Sequence, residues 1–231
     1  MHVAAVEEKS SESIPDRESF YDPFAAQVEE EPYDPWESFN TKIFAFNRKA
    51  DQYVLKPLAT GYEAVMPDPL EKGISNAFHN LGVLPRLINN LLQAKYQGAG
   101  LETGRFLINS TLGIAGLFDV AKTMFGVETP DVEDTGQTFA VYGADPGPYL
   151  VLPLLPPLTA RDAVGSLGDL ALDPANYLLP FSAIVGERGG DVVNDRSLNL
   201  ELFQGVEDTT LDLYSAVRDA YLQKRAKAIR E

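Results

Sequence analysis

An all-α domain follows from three features of the sequence. Apolar residues recur at three- and four-residue spacing beyond residue 34, prolines and glycines fall where helices would start and stop, and strand-like runs are few. The first helix opens at DPWESFNTKIFAFN, with Asp34 as N-cap and Pro35 at the first helical position. Trp36, Phe39, Ile43, Phe46, Ala50 and Val54 form its apolar stripe. At about 100° per residue, Asn40 and Asn47 fall inside that apolar half, between Trp36 and Phe44. Glu37, Thr41, Arg48 and Gln52 take the opposite side. Two amides in an apolar stripe call for an explanation.

The chain then runs through a predicted loop over KPLATGYEAVMP into a second helix from about Asp68 to Asn80, with Pro69 at its first position. In the segment 74–93, Ile74, Ala77, Leu81, Leu84, Ile88 and Leu92 make an apolar face, and Pro85 is expected to divide the segment in two. The other face carries Ser75, Asn76, His79, Asn89, Asn90 and Gln93, with Arg86 as its only charge. Soluble helices more often carry Lys and Glu in i,i+4 pairs. Taken singly, each amide is explained by capping and by satisfying nearby backbone groups; as a set they suggest neutral polar surfaces facing one another or lining a passage. Further on, breaks are expected near residues 98–100 and 113–116, where glycines cluster. QTFAVYG and PYLVLPLL alone have strand-rich composition, and Pro148, Pro153, Pro156 and Pro157 keep the second from being a central strand. TLDLYSAVRDAYLQKRAKAIRE closes the sequence as a long helix.

Composition narrows the function. The 231 residues are 45% hydrophobic and 23% charged, enough for a sizeable core. A net charge of −15 without Lys/Arg clusters argues against a nucleic-acid ligand. There is no cysteine, hence no disulfide, Cys-based metal site or thiol nucleophile. Residues 1–35 hold ten acids against Lys9 and Arg17. That Ser-, Glu- and Pro-rich stretch is too poor in aliphatics to offset its conformational entropy, so residues 1–33 are predicted to be a disordered acidic segment, either a tether or a solubilising leader, and 34–231 the folded domain. The opening MHVAAVEE lacks the basic and apolar regions of a signal peptide.

Catalytic patterns are weak. His2 and His79 are the only histidines, so a triad could use only His79 and no His-rich metal site can form. VGSLG misses the nucleophile-elbow spacing, and GAGLETG lacks the preceding strand of a dinucleotide fold. No cofactor is indicated. No segment reaches the about 18 uninterrupted apolar residues of a membrane span. Residues 136–185 are nonetheless nearly free of charge and dense in Leu, Tyr and Pro, which suits either a core or a surface dipped into lipid.

Four separated blocks carry a resemblance: DPWESFNTKIFAFN with VLKPLA, GRFLINSTLGIAGLFDVA, EDTGQTFAVYGADPGPYLVLPLLPPLTARDAVG, and DLYSAVRDAYLQKR. In order and spacing these resemble the signature blocks of the MlaA (VacJ) lipoprotein family of Gram-negative outer membranes, over about Asp34 to Arg225. The resemblance implies a ring of amphipathic helices embedded in the periplasmic leaflet, with a central polar channel for a phospholipid headgroup. It implies a non-enzyme that removes mislocalised phospholipids from the outer leaflet and passes them to a periplasmic phospholipid-binding carrier protein, beside an outer-membrane porin. Family members carry a signal peptide and an anchor cysteine that this sequence lacks; the expectation is a sequence beginning after a lipid-anchor site.

On this implied plan, Asn40, Asn47, Asn76, His79, Asn89, Arg105, Asn109 and Arg161 are candidates for the channel or for buried seams. Amides serve there without the desolvation cost of a charge. Trp36, Phe39, Phe44, Phe46, Leu150, Leu152, Leu154 and Leu155 are candidates to face lipid. Two rival classes stay open: a secreted α-helical hydrolase, which would show turnover, and a structural envelope adaptor lipoprotein, which would fold as a closed bundle.

Overall fold

A computed structural model describes residues 34–178, 180–198 and 211–230. The predicted disordered acidic segment, residues 1–33, lies outside the described residues. Helix α1 (Glu37–Ala50) continues through a π turn (Asp51–Leu55) into α2 (Lys56–Val65), where the sequence suggested a loop. Pro57 explains both the expectation and the outcome. A proline inside a helix loses one N–H and clashes with the carbonyl four residues back. The wider π turn, in which the Lys56 N–H donates to Asp51 O, absorbs that conflict without ending the helix. Asp34 sits two residues before the observed cap, Trp36, and its carboxylate instead accepts the Trp36 N–H at 3.1 Å.

Helix α3 (Asp68–Leu81) begins at the predicted residue with Pro69 in its first turn. The division before α4 (Val83–Leu92) falls at Gly82 and not at Pro85. Pro85 lies within the first turn of α4, where backbone N–H groups have no intrahelical partner and a proline costs little. Helix α5 (Tyr96–Thr111) runs unbroken through Gly98 and Gly100, against expectation. Gly98 is there for contact: a Cβ at this position would lie 2.0 Å from Asn90 Oδ1, so the glycine lets α5 close on α4. The predicted break at 113–116 is present. Ile114, Ala115 and Gly116 take φ of 52°, 57° and 92°. Only Gly116 adopts this left-handed conformation without strain.

Helix α6 (Val120–Phe125) is capped by Asp119, whose carboxylate accepts the Lys122 N–H at 3.2 Å. Asp134 caps α7 (Thr135–Val141) in the same way, accepting the Gln137 N–H at 2.8 Å. QTFAVYG is thus helical apart from its end, because the Asp134 cap outweighs strand propensity. Among the described residues, β structure is confined to β1 (Tyr149–Leu150) paired antiparallel with β2 (Leu158–Thr159), with Tyr149 opposite Thr159. Then follow α8 (Ala160–Leu172), whose cap Thr159 accepts the Asp162 N–H, α9 (Ala175–Leu178), α10 (Phe181–Leu198) and the predicted closing helix α11 (Leu213–Arg230). The all-α fold class read from the sequence is the observed one.

The distribution of side chains is inverted relative to a water-soluble domain. The described buried apolar residues are mostly small, with Tyr149, Val151 and Tyr214 forming one cluster to which Phe44 and Tyr221 add edge contacts. Buried polar groups are far more numerous and include Asn40, Asn89, Asn194 and Glu102. Large apolar side chains are exposed instead, among them Phe181 (80%), Val65 (79%) and Met124 (77%). Water favours the opposite arrangement, so such a surface calls for an apolar environment or partner. Among the described residues no helix is long and apolar enough to cross a membrane.

Candidate functional site

The two puzzling asparagines of α1 bind one stretch of chain, extended at Tyr149–Leu150 and turning at Leu154. Asn40 donates from Nδ2 to Tyr149 O at 2.9 Å and accepts the Val151 N–H at Oδ1 at 3.0 Å. Two turns on, Asn47 donates to Leu152 O and accepts the Leu154 N–H, both at 2.8 Å. Each amide acts as a single peptide of a neighbouring strand would. An extended segment lying against a helix leaves backbone groups without a ladder partner, and the paired asparagines supply it. Asp34 closes the near end of this seam. Its carboxylate accepts from Asn40 Nδ2 and from the Tyr214 hydroxyl, joining the start of the domain to α11.

Beyond Asn47 the same surfaces part to form an open cavity of about 960 Å³. Its walls come from α1 (Phe44, Asn47, Arg48), the π turn (Asp51, Leu55), α3 (Ser75, Phe78, His79), Arg86 of α4, the segment 151–157, α10 (Asp191, Val192, Arg196) and the start of α11. Polar and apolar groups are both well represented. Phe44, Leu55, Phe78, Val151, Leu154, Leu155 and the Pro156–Pro157 pair provide the apolar side.

The cavity's charged groups are braced. Arg196 donates from Nε and Nη2 to the two carboxylate oxygens of Asp51 at 2.8 and 2.9 Å. Arg86 grips Glu102 of α5 in the same way, at 2.9 and 3.1 Å, and Nη2 also donates to His79 O at 2.7 Å. Paired forks of this kind fix the guanidinium in position and offset its charge. Burial, aided by the nearby Arg86 charge, pulls the His79 imidazole below its ordinary pKa, so its ring is neutral at physiological pH.

Of the predicted polar residues, only Asn47 and His79 line the cavity. The others lock seams elsewhere. Asn40 is fully buried in its clasp, and Asn76 donates to Leu117 O at 3.2 Å, tying α3 to the turn after α5. Asn89 donates to Asp169 and accepts from the Thr138 hydroxyl, joining α4, α7 and α8. Arg105 and Asn109 both bind the Asp119 carboxylate, at 2.9 and 3.0 Å, and Asn109 also accepts the Ala121 N–H. Arg161 donates to Asp162 and Ala144 O.

Among the predicted lipid-facing residues, Trp36, Phe39, Phe46, Leu154 and Leu155 are exposed, the last two on the cavity wall. Leu150 and Leu152 are half-buried. Phe44 is a correction: its ring packs edge-on against Tyr214 with centroids 5.6 Å apart, because it lies on the α1 side that meets α11.

Sequence reasoning missed Arg48, Asp51, Asp191 and Arg196 as cavity residues; ion-pair partners so far apart in the chain leave no local signal. It also missed a half-buried node in which Arg225 of α11 binds Asp134 and Asp162, with the Tyr221 hydroxyl on Asp162. There, burial would raise both carboxyls, but hydrogen bonds from Arg225 outweigh it and hold them below the usual carboxylate range.

Comparison with known proteins gives consistent results. Residues 32–228 match the family model described as "MlaA lipoprotein". An uncharacterised protein of Rickettsia felis is 38% identical over 201 residues, covering 86% of this chain and 79% of that one. The intermembrane phospholipid transport system lipoprotein MlaA of Haemophilus influenzae is 32% identical, covering 82% and 76%. Its counterpart in Escherichia coli K12 is 32% identical, covering 83% and 76%. A solved chain from work on the structural basis for maintenance of bacterial outer membrane lipid asymmetry superposes with a TM-score of 0.78 at 30% identity, over 85% of this chain and 99% of that one.

Proposed function

The chain belongs to the MlaA lipoprotein family, and from that premise we propose that it removes phospholipids misplaced in the outer leaflet of an outer membrane and delivers them to a periplasmic carrier. Its relatives named as intermembrane phospholipid transport system lipoproteins supply the class of cargo. The observation that carries the reading to this chain is the cavity itself. It sets a braced polar side, with Asp51–Arg196 and Arg86, against an apolar side, with Phe44, Phe78, Leu154 and Leu155. A phospholipid, with a charged phosphate at one end and apolar acyl chains at the other, fits such a wall better than a uniformly polar or greasy ligand.

The exposed apolar side chains then sit in one leaflet, with the helices in a ring around the cavity and the polar groups turned to seams and passage. The protein acts without covalent chemistry, held at the membrane by a lipid anchor upstream and set beside a porin that gives access to the outer leaflet. The acidic segment 1–33 serves as its tether.

The test is complementation. In Gram-negative cells lacking their own copy, expression of this protein with a lipoprotein leader should lower outer-leaflet phospholipid toward wild-type levels. The purified protein should leave radiolabelled phospholipid chemically intact. Normal accumulation of folded protein with no change in leaflet lipid would overturn the proposal, and release of fatty acid or headgroup would favour the hydrolase.

A further inference from the structure

Arg86 reaches the cavity wall with part of its guanidinium uncommitted. Nε and Nη2 are taken by Glu102, and Nη2 also by His79 O, yet Nη1 makes no hydrogen bond among the described residues, and the side chain keeps 10% of its surface exposed. It lies close over Gly82, where a Cβ would come within 3.1 Å of it. The neighbouring His79 ring also makes no hydrogen bond among the described residues, and its Nε2 is buried without a partner. Buried polar nitrogens are seldom left so unless a ligand or water completes them. One bond, from Arg86 Nη2 to the His79 backbone carbonyl at 2.7 Å, ties the guanidinium to the turn of α3 that carries the ring.

The geometry points to a phosphate-binding subsite on the cavity wall, formed by Arg86 Nη1 and the His79 ring, for the phosphodiester of a lipid headgroup. This rests on the phospholipid reading above. Both groups can offer an N–H to an oxyanion, and an arginine braced by a carboxylate loses little freedom on binding. Glu102 offsets the Arg86 charge, so the subsite suits a phosphodiester monoanion over the dianion of a phosphate monoester. Phe78, Leu154 and Leu155 on the same cavity offer an apolar surface to the remainder of the lipid. His79, kept neutral by burial, adds a hydrogen bond without repelling Arg86.

The test titrates the full chain in detergent with dihexanoylphosphatidylcholine, followed by phosphorus NMR, with inorganic phosphate as competitor. His79→Phe keeps the ring and removes its nitrogens; Arg86→Lys keeps the charge and loses the fork; Gly82→Ala crowds Nη1 without touching any charge. Thermal melts establish which variants fold. His79→Phe and Arg86→Lys should each weaken lipid binding about tenfold or more, Gly82→Ala should weaken it by a smaller factor, and inorganic phosphate should displace lipid from the wild type. Should Arg86→Lys not fold, the other two variants decide. Lipid affinity within about twofold of wild type in the folded variants would overturn the subsite and leave the transport reading standing. Wild type that binds phosphate and no lipid would overturn the lipid source, and wild type that binds neither would overturn the transport reading as well.

Discussion

Asn40 stands in for a β-strand beside Val151: one side-chain amide on α1 accepts the Val151 N–H and donates to Tyr149 O, inside a site with no exposure to solvent. Replacing Asn40 with Leu keeps the branched shape, adds bulk and strands two backbone groups. The expected loss is about 2 to 4 kcal/mol, read from the midpoint of denaturant unfolding. A loss below about 0.5 kcal/mol, the floor for a typical hydrogen bond, would mean that the segment finds other partners.

Asn47 makes the same pair of bonds where the chain is more exposed, so water can replace them. Asn47→Ala should cost only about 1 kcal/mol while loosening residues 152–154, which form part of the cavity wall. Amide exchange at Leu154 should quicken in this variant, and outer-leaflet phospholipid in complemented cells should depart from the wild-type level. Unchanged exchange at Leu154 would remove the clasp from the account.

Acid should weaken the node around Arg225. Asp134 and Asp162 have folded pKa values below their unfolded ones, so their stabilisation is fully present above about pH 4 and is lost as pH falls through the folded values. Asp169 works in the other direction, since burial raises its carboxyl and folded protein therefore takes up its proton more readily than unfolded chain. Arg225→Met should cost about 3 kcal/mol at neutral pH, the low end for a broken buried pair. The low end applies because Asp134 keeps 32% of its side chain exposed. The substitution should also flatten the acid limb of the stability curve. A pH profile parallel to that of wild type would contradict this.

Two glycines of similar appearance in the sequence should behave oppositely. A Cβ at Gly165 would meet the Gly136 backbone nitrogen at 2.3 Å, where α8 crosses the start of α7 and nothing flexible can yield. Gly165→Ala should therefore destabilise by about 3 kcal/mol. At Gly104 in α5 nothing lies within 4 Å. There, Gly104→Ala should stabilise by about 0.5 to 1 kcal/mol. Thermal melts of the two variants should move in opposite directions from wild type.

The exposed apolar residues around the 113–116 turn should bind lipid. Ile114, Phe118, Met124 and Phe125 are all more than half exposed. Ile114→Asp and Phe125→Asp should leave the melting curve nearly unchanged and reduce flotation with phospholipid vesicles about tenfold. Undiminished flotation would put the contact with lipid elsewhere.

Helix positions were legible wherever a proline or a left-handed turn fixed them, as at Pro69 and at 113–116. The misreadings have different causes: at Pro57 and QTFAVYG one local signal outweighs another, and at Gly98 a partner in space decides. Pro57 is absorbed by a π turn, Gly98 is a contact point for Asn90, and Asp134 caps the start of α7. The amides on apolar faces were a true signal of buried polar contact. Their partners were invisible, because Asn40 and Tyr149 meet across more than a hundred residues of chain. The cavity was less legible still: its ion pair Asp51–Arg196 is assembled by helices whose packing no periodicity encodes.

The inverted distribution of side chains also changes which substitutions the molecule should tolerate. In a water-soluble domain, exchanging one aliphatic residue for another is felt most at buried positions, and the surface accepts almost any polar residue. Here the outward apolar positions should accept any apolar residue and resist charge. The inward ones, exemplified by Asn40 and Asn89, should refuse even Asn-to-Asp, because each demands a particular pattern of donors and acceptors. A complete single-substitution scan would thus return a tolerance map that reads like the negative of a globular protein's, with the strictest positions marked by hydrogen-bonding type instead of by volume.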